Sequence, residues 1–333
     1  MRNRRSQYDV TNQVDVSDAF QVCNAVLEIL RDIYPNLSAS ASTALKAAFE
    51  DCHKLFEGEN PNYLPCDTLY HDKQHSLDMT LALSRLISGH ERTASLADRL
   101  GAERAILGII TALYHDSGYI RHINDPHHKN GAEYTRTHVS RSADFLKKYL
   151  NKIGHGEYAK IASNMVHYTG YEVAPDNIHL PDDKTHLVGH MLGTADLIAQ
   201  MSDRCYLEKC RDRLFPEFVL GGMAVQIDAN GNEKVIYESG IDLLRKTPLF
   251  FANEVEDRLN NLFNKVYNFE TVHFDGERKY IHALGQNQAY LKKILKSEDF
   301  DAIRREAPEN YGTRNFPGLD EYLNHKPKKR QTQ

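Results

Sequence analysis

The stretch AERAILGIITALYHD, residues 102–116, is apolar over most of its length and ends in His115 and Asp116. A helix that is apolar on most faces belongs in the centre of a helical bundle. An aspartate at its end would meet the negative end of the helix dipole beside an apolar core, and both are unfavourable for a lone charge. A divalent cation would remove both costs, because imidazole nitrogen and carboxylate oxygen suit such ions. The alternative to a metal site is that Asp116 caps the helix and that His115 is an ordinary core residue.

The remaining sequence predicts an all-α fold with one small β insertion. Helical spacing of apolar residues predicts further helices over 18–34, 40–56, 71–87, 130–150, 155–167, 187–201, 202–215, 249–267, 279–295 and 300–304. Residues 223–237 instead indicate two short strands around Asn230-Gly231, a typical hairpin turn. Because no repeat or change of composition marks a linker, we expect a single helical domain over 1–333, with C-terminal helices after about 240.

Composition narrows the class of protein. The chain has 333 residues, a formal net charge of −5 and 26% charged residues, which argues against a nucleic-acid polymer or a basic membrane surface as partner. No apolar stretch approaches the ~20 residues that span a bilayer. The five cysteines form no CxxC pair, which is typical of reduced thiols in a cytoplasmic protein. The 17 histidines are the unusual feature, and many lie between His71 and His190.

Several of these histidines, with one aspartate, are further candidate metal ligands. His71 and His75 stand four residues apart, a spacing that would place both on one face of the predicted helix. His138, His167 and Asp196 each occur in a partly apolar helical run. Asp196 is the most informative, because its neighbours are apolar and a buried carboxylate needs a cation from elsewhere in the fold. Taken singly, each is more often a hydrogen-bonded core residue than a ligand.

Taken together, these motifs resemble the HD superfamily of metal-dependent phosphohydrolases. The match covers about 69–203, which we expect to form the metal-binding core of an HD-domain helical bundle. The resemblance implies one or two divalent ions (Mn, Mg, Zn, Ni or Fe) held by a set of six side chains. These are His75, His115, Asp116, His138, His167 and Asp196.

Parts of this chain resemble the motifs of two branches of that superfamily. The segment Tyr70 to Met79 resembles the YHNxxHaxDV motif of cyclic nucleotide phosphodiesterases, which implies that His71 is the general acid and that His75, His115, Asp116 and Asp196 hold the first metal. The glutamine and phenylalanine of their purine pocket are absent, with Tyr237 and Gly240 at the nearest positions. His138 and His167 fit the fuller two-metal site of HD-GYP proteins, but the GYP signature is missing, and Tyr119 replaces a lysine.

The ligand set implies a mechanism in which Asp116 bridges two metals and a shared hydroxide attacks phosphorus. His71 would then protonate the leaving oxygen. The substrate would be a small phosphate ester, such as a phosphodiester or a nucleotide. Four cations flank the ligands in sequence and are candidates to bind phosphate, although each is more often a surface charge. They are Arg121, Lys129, Arg136 and Arg141.

Two other functions fit the same ligands. Some HD proteins hold two irons and activate oxygen, and others are sensory modules without catalysis. A phosphohydrolase is favoured because His71 and the region around Glu217 resemble phosphodiesterases and because no ligand is missing. The sequence leaves the substrate, the metal and the oligomeric state open, with a homodimer among the alternatives.

Overall fold

The computed structural model describes residues 4–228 and 231–325, and these are mostly helical, as the sequence predicts. In chain order the α-helices of these residues are α1 (Ala19–Ile33), α2 (Ala39–Glu57), α3 (Lys73–Thr93), α4 (Ala102–Leu113), α5 (His138–Lys152), α6 (Ala159–Met165), α7 (Asp183–Ser202), α8 (Tyr206–Lys209), α9 (Phe215–Leu220), α10 (Gly240–Phe250), α11 (Phe269–His273), α12 (Lys279–Ser297), α13 (Tyr311–Asn315) and α14 (Leu319–His325). Short 3-10 turns and three π-helical segments, Cys210–Leu214, Phe251–Val255 and Arg258–Leu262, connect or extend them.

Side chains at the N-termini fix where several helices begin. Asp18, Ser38, Asp72 and Asp182 each accept hydrogen bonds from backbone N–H groups in the first turn of α1, α2, α3 and α7. These donors have no partner within the helix, so a capping oxygen stabilises each start by roughly 1 kcal/mol. The cap at Asp72 also orients the first turn of α3, which carries His75.

The centre of the molecule is formed by α3, α4 and α7. Helix α3 packs against α1, α4, α7 and α11, and most of its residues are buried. Small residues allow close approach, since a Cβ at Gly108 of α4 would lie 2.6 Å from Val188 of α7. The main hydrophobic cluster includes side chains from Val16 to Ile303, so the helices after 240 share one core with the region 69–203.

The predicted hairpin is confirmed, with shorter strands. Strand β1 (Val225–Ile227) pairs antiparallel with β2 (Glu233–Val235), and Val225 lies opposite Val235. Residues 229 and 230, and with them the first half of the predicted turn, lie outside the described residues. No helix among the described residues has both the length and the apolar character needed to cross a membrane.

Several predicted boundaries are wrong in ways that matter for function. The central helix ends at Leu113, so His115 and Asp116 lie in the turn that follows. His71 precedes the N-cap of α3, so it does not share a helix face with His75. The predicted helix 130–150 is a 3-10 turn, Gly131–Tyr134, followed by α5. The predicted helix 249–267 is placed too late, because α10 begins at Gly240 and π-helical segments continue it to Leu262. The sequence missed α13 and α14.

The approach of α5 to the turn after α4 can be tested by substituting a glycine. A Cβ at Gly118 would lie 1.8 Å from the backbone oxygen of His138, so Gly118→Ala must push α5 away. We expect a loss of about 1–3 kcal/mol in the free energy of unfolding, measured by urea denaturation. The control is Gly285→Ala in α12, where a Cβ meets nothing within 4 Å and helix propensity favours alanine. Equal stability of the two variants would contradict this packing.

Candidate metal centre

Three separate elements bring histidine and aspartate side chains to one buried position. His75 lies in the first turn of α3, and His115 and Asp116 lie in the turn after α4. Asp196 lies in the second half of α7. All four are buried, with His115 and Asp116 only 1% and 2% exposed. The central packing of α3, α4 and α7 therefore fixes the group.

The ligand atoms of His75, His115 and Asp116 all lie within 4.8 Å of one another, close enough to share one ion, and Asp196 approaches both histidines. His75 Nε2 lies 3.1 Å from Asp196 Oδ1, 3.2 Å from His115 Nε2 and 3.6 Å from Asp116 Oδ2. His115 Nε2 lies 3.1 Å from Asp116 Oδ2 and 3.9 Å from Asp196 Oδ1. Ligands about 2.1 Å from one ion lie roughly 3.0–3.4 Å apart in tetrahedral or octahedral geometry. The observed separations are close to that range.

Backbone hydrogen bonds already select the imidazole tautomer that metal binding needs. The Nδ1 atom of His115 lies 2.8 Å from the carbonyl oxygen of Ala112, to which its N–H can donate. His138 Nδ1 makes the same contact with Thr135, also at 2.8 Å. A ligating histidine commonly donates its second ring N–H in this way, which leaves Nε2 as the metal-binding atom. In both rings Nε2 is the atom nearest to Asp116.

His115 and Asp116 shift each other's pKa in opposite directions. Burial raises the pKa of Asp116, but neighbouring His115 outweighs this and holds it well below its usual range. Burial lowers the pKa of His115, and Asp116 then raises it to about 9. Asp116 Oδ2 is also buried without a hydrogen-bond partner in the structure. Two imidazoles and a carboxylate, with the Asp196 carboxylate beside them, fit a divalent cation, which would take the place of the His115 proton.

The two remaining candidate ligands, His138 and His167, differ in how near they lie to this group. His138 Nε2 is 3.8 Å from Asp116 Oδ1, the oxygen that the contacts with His75 and His115 do not use. His167 lies in the 3-10 turn Val166–Thr169, and within the described residues no contact joins it to the other five. Its Nδ1 is buried without a partner, and burial lowers its pKa. His138 is therefore close to the group, whereas His167 stands apart.

His71 lies beside the group and is held by a carboxylate. Its Nδ1 contacts Glu217 Oε1, and Glu217 Oε2 accepts backbone N–H groups from Tyr70 at 2.6 Å and from His71 at 3.3 Å. Glu217 is fully buried in α9. Burial lowers the pKa of His71, but Glu217 more than offsets this and raises it to about 9. The imidazole is therefore protonated at neutral pH in the metal-free chain.

Tyr119 is a further part of the site. Its ring stacks on His71 at 4.6 Å and on His138 at 4.4 Å between centroids, and it is almost completely buried. It therefore fixes both imidazole planes. Sequence analysis gave no role to Tyr119 or Glu217. Only their positions relative to family motifs could have drawn attention to these two residues. For Glu217 no local pattern could do so, because it is 146 residues from His71.

Two of the four candidate phosphate-binding cations, Arg121 and Arg141, are held by protein groups. Arg121 Nη2 lies 2.7 Å from Asp67 Oδ2, and Arg141 donates to the carbonyl oxygens of Gly118 and Ile120. Arg136 and Lys129 are exposed. Arg141 therefore has a structural contact with the turn that follows Asp116. The structure gives none of the four a contact with the candidate ligands among the described residues.

Comparison with known proteins finds no matching family model, no matching curated protein and no matching solved structure.

The role of Glu217 can be measured by titration. In metal-free protein, Glu217→Gln removes the charge that raises the pKa of His71, so burial should bring it below its usual 6.5 from about 9. The measurement is an NMR titration of the imidazole signals. Because the folded pKa is raised, the stability from this pair is fully present below about pH 6.5 and is lost as pH rises through about 9. The stability difference between the two proteins should shrink over that window. An unchanged His71 titration would contradict the assignment.

Proposed function

We propose that this chain is a metal-dependent phosphohydrolase of the HD type, which hydrolyses a small phosphoester. The proposal combines two supports. The first is the order of the motifs in the sequence, from His75 through His115-Asp116 to Asp196. The second is the buried group of His75, His115 and Asp116, with Asp196 in contact with His75, and this group is the single observation on which the proposal depends.

The side chains have distinct tasks in such a reaction. His75, His115, Asp116 and Asp196 would hold a divalent ion, and His138 stands beside the second oxygen of Asp116. The bound ion would supply Lewis-acid chemistry, lowering the pKa of water and neutralising phosphoryl oxygens. The burial of the four ligands excludes competing solvent and keeps them fixed. Tyr119 keeps the imidazole of His138 in place.

His71 would donate the proton that the leaving oxygen needs. Its ring stands 6.0 Å from the ring of His75 between centroids, so it lies at the edge of the metal-binding group. Glu217 fixes its Nδ1, which leaves Nε2 as the donor, and keeps the ring protonated. A positioned general acid typically contributes 10²–10⁴-fold in rate. The side chain is 19% exposed, whereas Glu217 is not exposed at all, so the acid faces the accessible side of the site.

This pair of residues also favours hydrolysis over the two alternatives. A di-iron oxygenase would use the same histidine and aspartate ligands, but oxygen activation gives no reason for a protonated imidazole next to them. Burying a charged carboxylate such as Glu217 costs several kcal/mol of desolvation free energy, even when it is paired with His71. A sensory module without catalysis would have no need for that pair. The substrate proposed is therefore a phosphoester whose leaving group needs a proton.

The metal site is tested with Asp116→Ala. Loss of this carboxylate removes a central ligand, and we expect the metal content after reconstitution to fall at least tenfold, as measured by elemental analysis. Asp176→Ala, which changes an exposed carboxylate in a loop, is the control and should keep its metal. Metal content equal to that of the wild type in Asp116→Ala would refute the site.

The acid is tested with His71→Ala. We expect it to retain metal but to lower kcat about 10²–10⁴-fold for alkyl phosphoesters, whose leaving group needs the proton. For p-nitrophenyl phosphoesters, whose leaving group is stable as an anion, the loss should be much smaller. The assay is phosphate or alcohol release with Mn, Mg, Zn, Ni and Fe, and oxygen consumption is followed in parallel. Equal losses for both leaving groups would show that His71 is not the acid.

Absence of phosphoester turnover with every metal, together with iron-dependent oxygen consumption, would instead support the oxygenase.

A further inference from the structure

Tyr171 is a large aromatic side chain that is 61% exposed although its backbone is firmly held. On one side, a Cβ at Gly170 would lie 2.5 Å from Val139 Cγ2, so the chain is in close contact with α5 there. On the other side, the Glu172 carboxylate accepts the backbone N–H groups of Val139 at 2.8 Å and of Ser140 at 2.9 Å. Helix α5 begins at His138, so both anchors hold Tyr171 next to the turn that carries this histidine.

Arg258 covers this loop from the opposite side. Its guanidinium carbon lies 4.4 Å from the centre of the Tyr171 ring, and its N–H groups donate to the carbonyl oxygens of Tyr168 at 2.7 Å and of Gly170 at 3.1 Å. Both Nη atoms are therefore used by the loop, and Nε is buried without a hydrogen-bond partner in the described part of the chain. Arg258 consequently holds the Tyr168–Gly170 backbone and the Tyr171 ring in one arrangement.

Arg258 is also tied to the helix that carries Asp196. Its guanidinium lies 5.1 Å from the ring of Phe263, and a Cβ at Gly193 of α7 would lie 2.5 Å from Phe263 Cζ. Asp196 follows Gly193 by three residues, or less than one helical turn. Two chains of contacts thus join this pair to elements that carry candidate ligands, one to the start of α5 beside His138 and the other to α7.

The electrostatics agree with this position. Burial raises the pKa of Tyr171, Arg258 lowers it, and the charges of Glu254 and Asp196 raise it further. The Tyr171 hydroxyl consequently feels the field of a candidate metal ligand. Arg258 also begins a π-helical segment, a rare conformation that is frequent at functional sites.

An exposed aromatic ring next to a phosphate-binding centre can recognise what the phosphate is attached to. Planar rings stack on tyrosine in an offset arrangement, and stacking of a base on an aromatic side chain is sequence-tolerant because every base has a π face. The guanidinium, fixed by its two carbonyl contacts, holds the tyrosine ring in place.

We propose that Tyr171 is a specificity-determining residue that stacks on a planar ring in the organic part of the phosphoester, and that Arg258 positions it. This inference rests on the proposed function for the placement of the phosphate. The substrate class is then a phosphoester with a nucleobase or another flat ring, rather than a sugar or lipid phosphate without one.

Two compounds that differ only in the ring provide the test. Adenosine 5′-monophosphate and ribose 5-phosphate share the same sugar phosphate and the same primary alcohol as leaving group. Dissociation constants are measured by calorimetry on the full chain loaded with Mn²⁺, and phosphate release is recorded in the same samples. Where turnover occurs, the ratio of kcat/KM replaces the ratio of dissociation constants.

We expect the wild type to bind the nucleotide at least about tenfold more tightly than the sugar phosphate. Tyr171→Ala should remove that preference by weakening nucleotide binding alone, whereas Tyr171→Phe should keep it. Phe20→Ala is the control, because it removes another exposed aromatic ring, 72% exposed on α1. If Tyr171 had a merely structural role, Tyr171→Ala would weaken the binding of both compounds equally.

Three results would overturn the inference. The wild type could bind the two compounds with equal affinity, it could fail to bind the nucleotide at millimolar concentration, or Tyr171→Ala could weaken the binding of both compounds equally. The proposed function is scored separately by phosphate release across the p-nitrophenyl and alkyl phosphoesters. Ring-dependent binding without any hydrolysis would reject the hydrolase and keep the Tyr171 subsite. Hydrolysis without a ring preference would do the reverse.

Discussion

The burial of the Asp116 carboxylate is the constraint on which the site depends. Asp116 is almost completely removed from water, and one of its oxygens has no hydrogen-bond partner. A second carboxylate, that of Asp196, lies across the same group within reach of His75. Two buried negative charges at this separation from the same imidazoles require positive charge between them. Histidine protons supply it in the free chain, and a divalent ion would supply it more completely.

The surrounding structure keeps this arrangement rigid at several levels. Helix packing brings α3, α4 and α7 together, while backbone carbonyls orient the imidazoles of His115 and His138. Glu217 joins α9 to the segment before α3 and sets both the position and the protonation of His71. The chemistry proposed for the site follows from this separation of roles, with one set of side chains for the ion and another for the proton.

Local signals in the sequence carried much of the fold. Apolar periodicity located most long helices within a few residues, and the Asn-Gly pair indicated the hairpin correctly. The errors arose at ends and short elements, where tertiary contacts outweigh propensity. His71 illustrates this, because its spacing of four from His75 suggested a shared helix face, whereas α3 begins only after Asp72. The two rings still approach each other, through the bend before the cap.

By itself, the sequence determined which residues are chemically able to hold an ion, since imidazole and carboxylate groups with apolar neighbours need compensation wherever the chain folds. It could not determine which of them meet. The tertiary structure brought His75, His115, Asp116 and Asp196 together, left His167 apart, and supplied Glu217, Tyr119 and Tyr171 as neighbours. Distances between segments up to 146 residues apart depend on how the helices pack, and packing is a property of the whole core that no local pattern encodes.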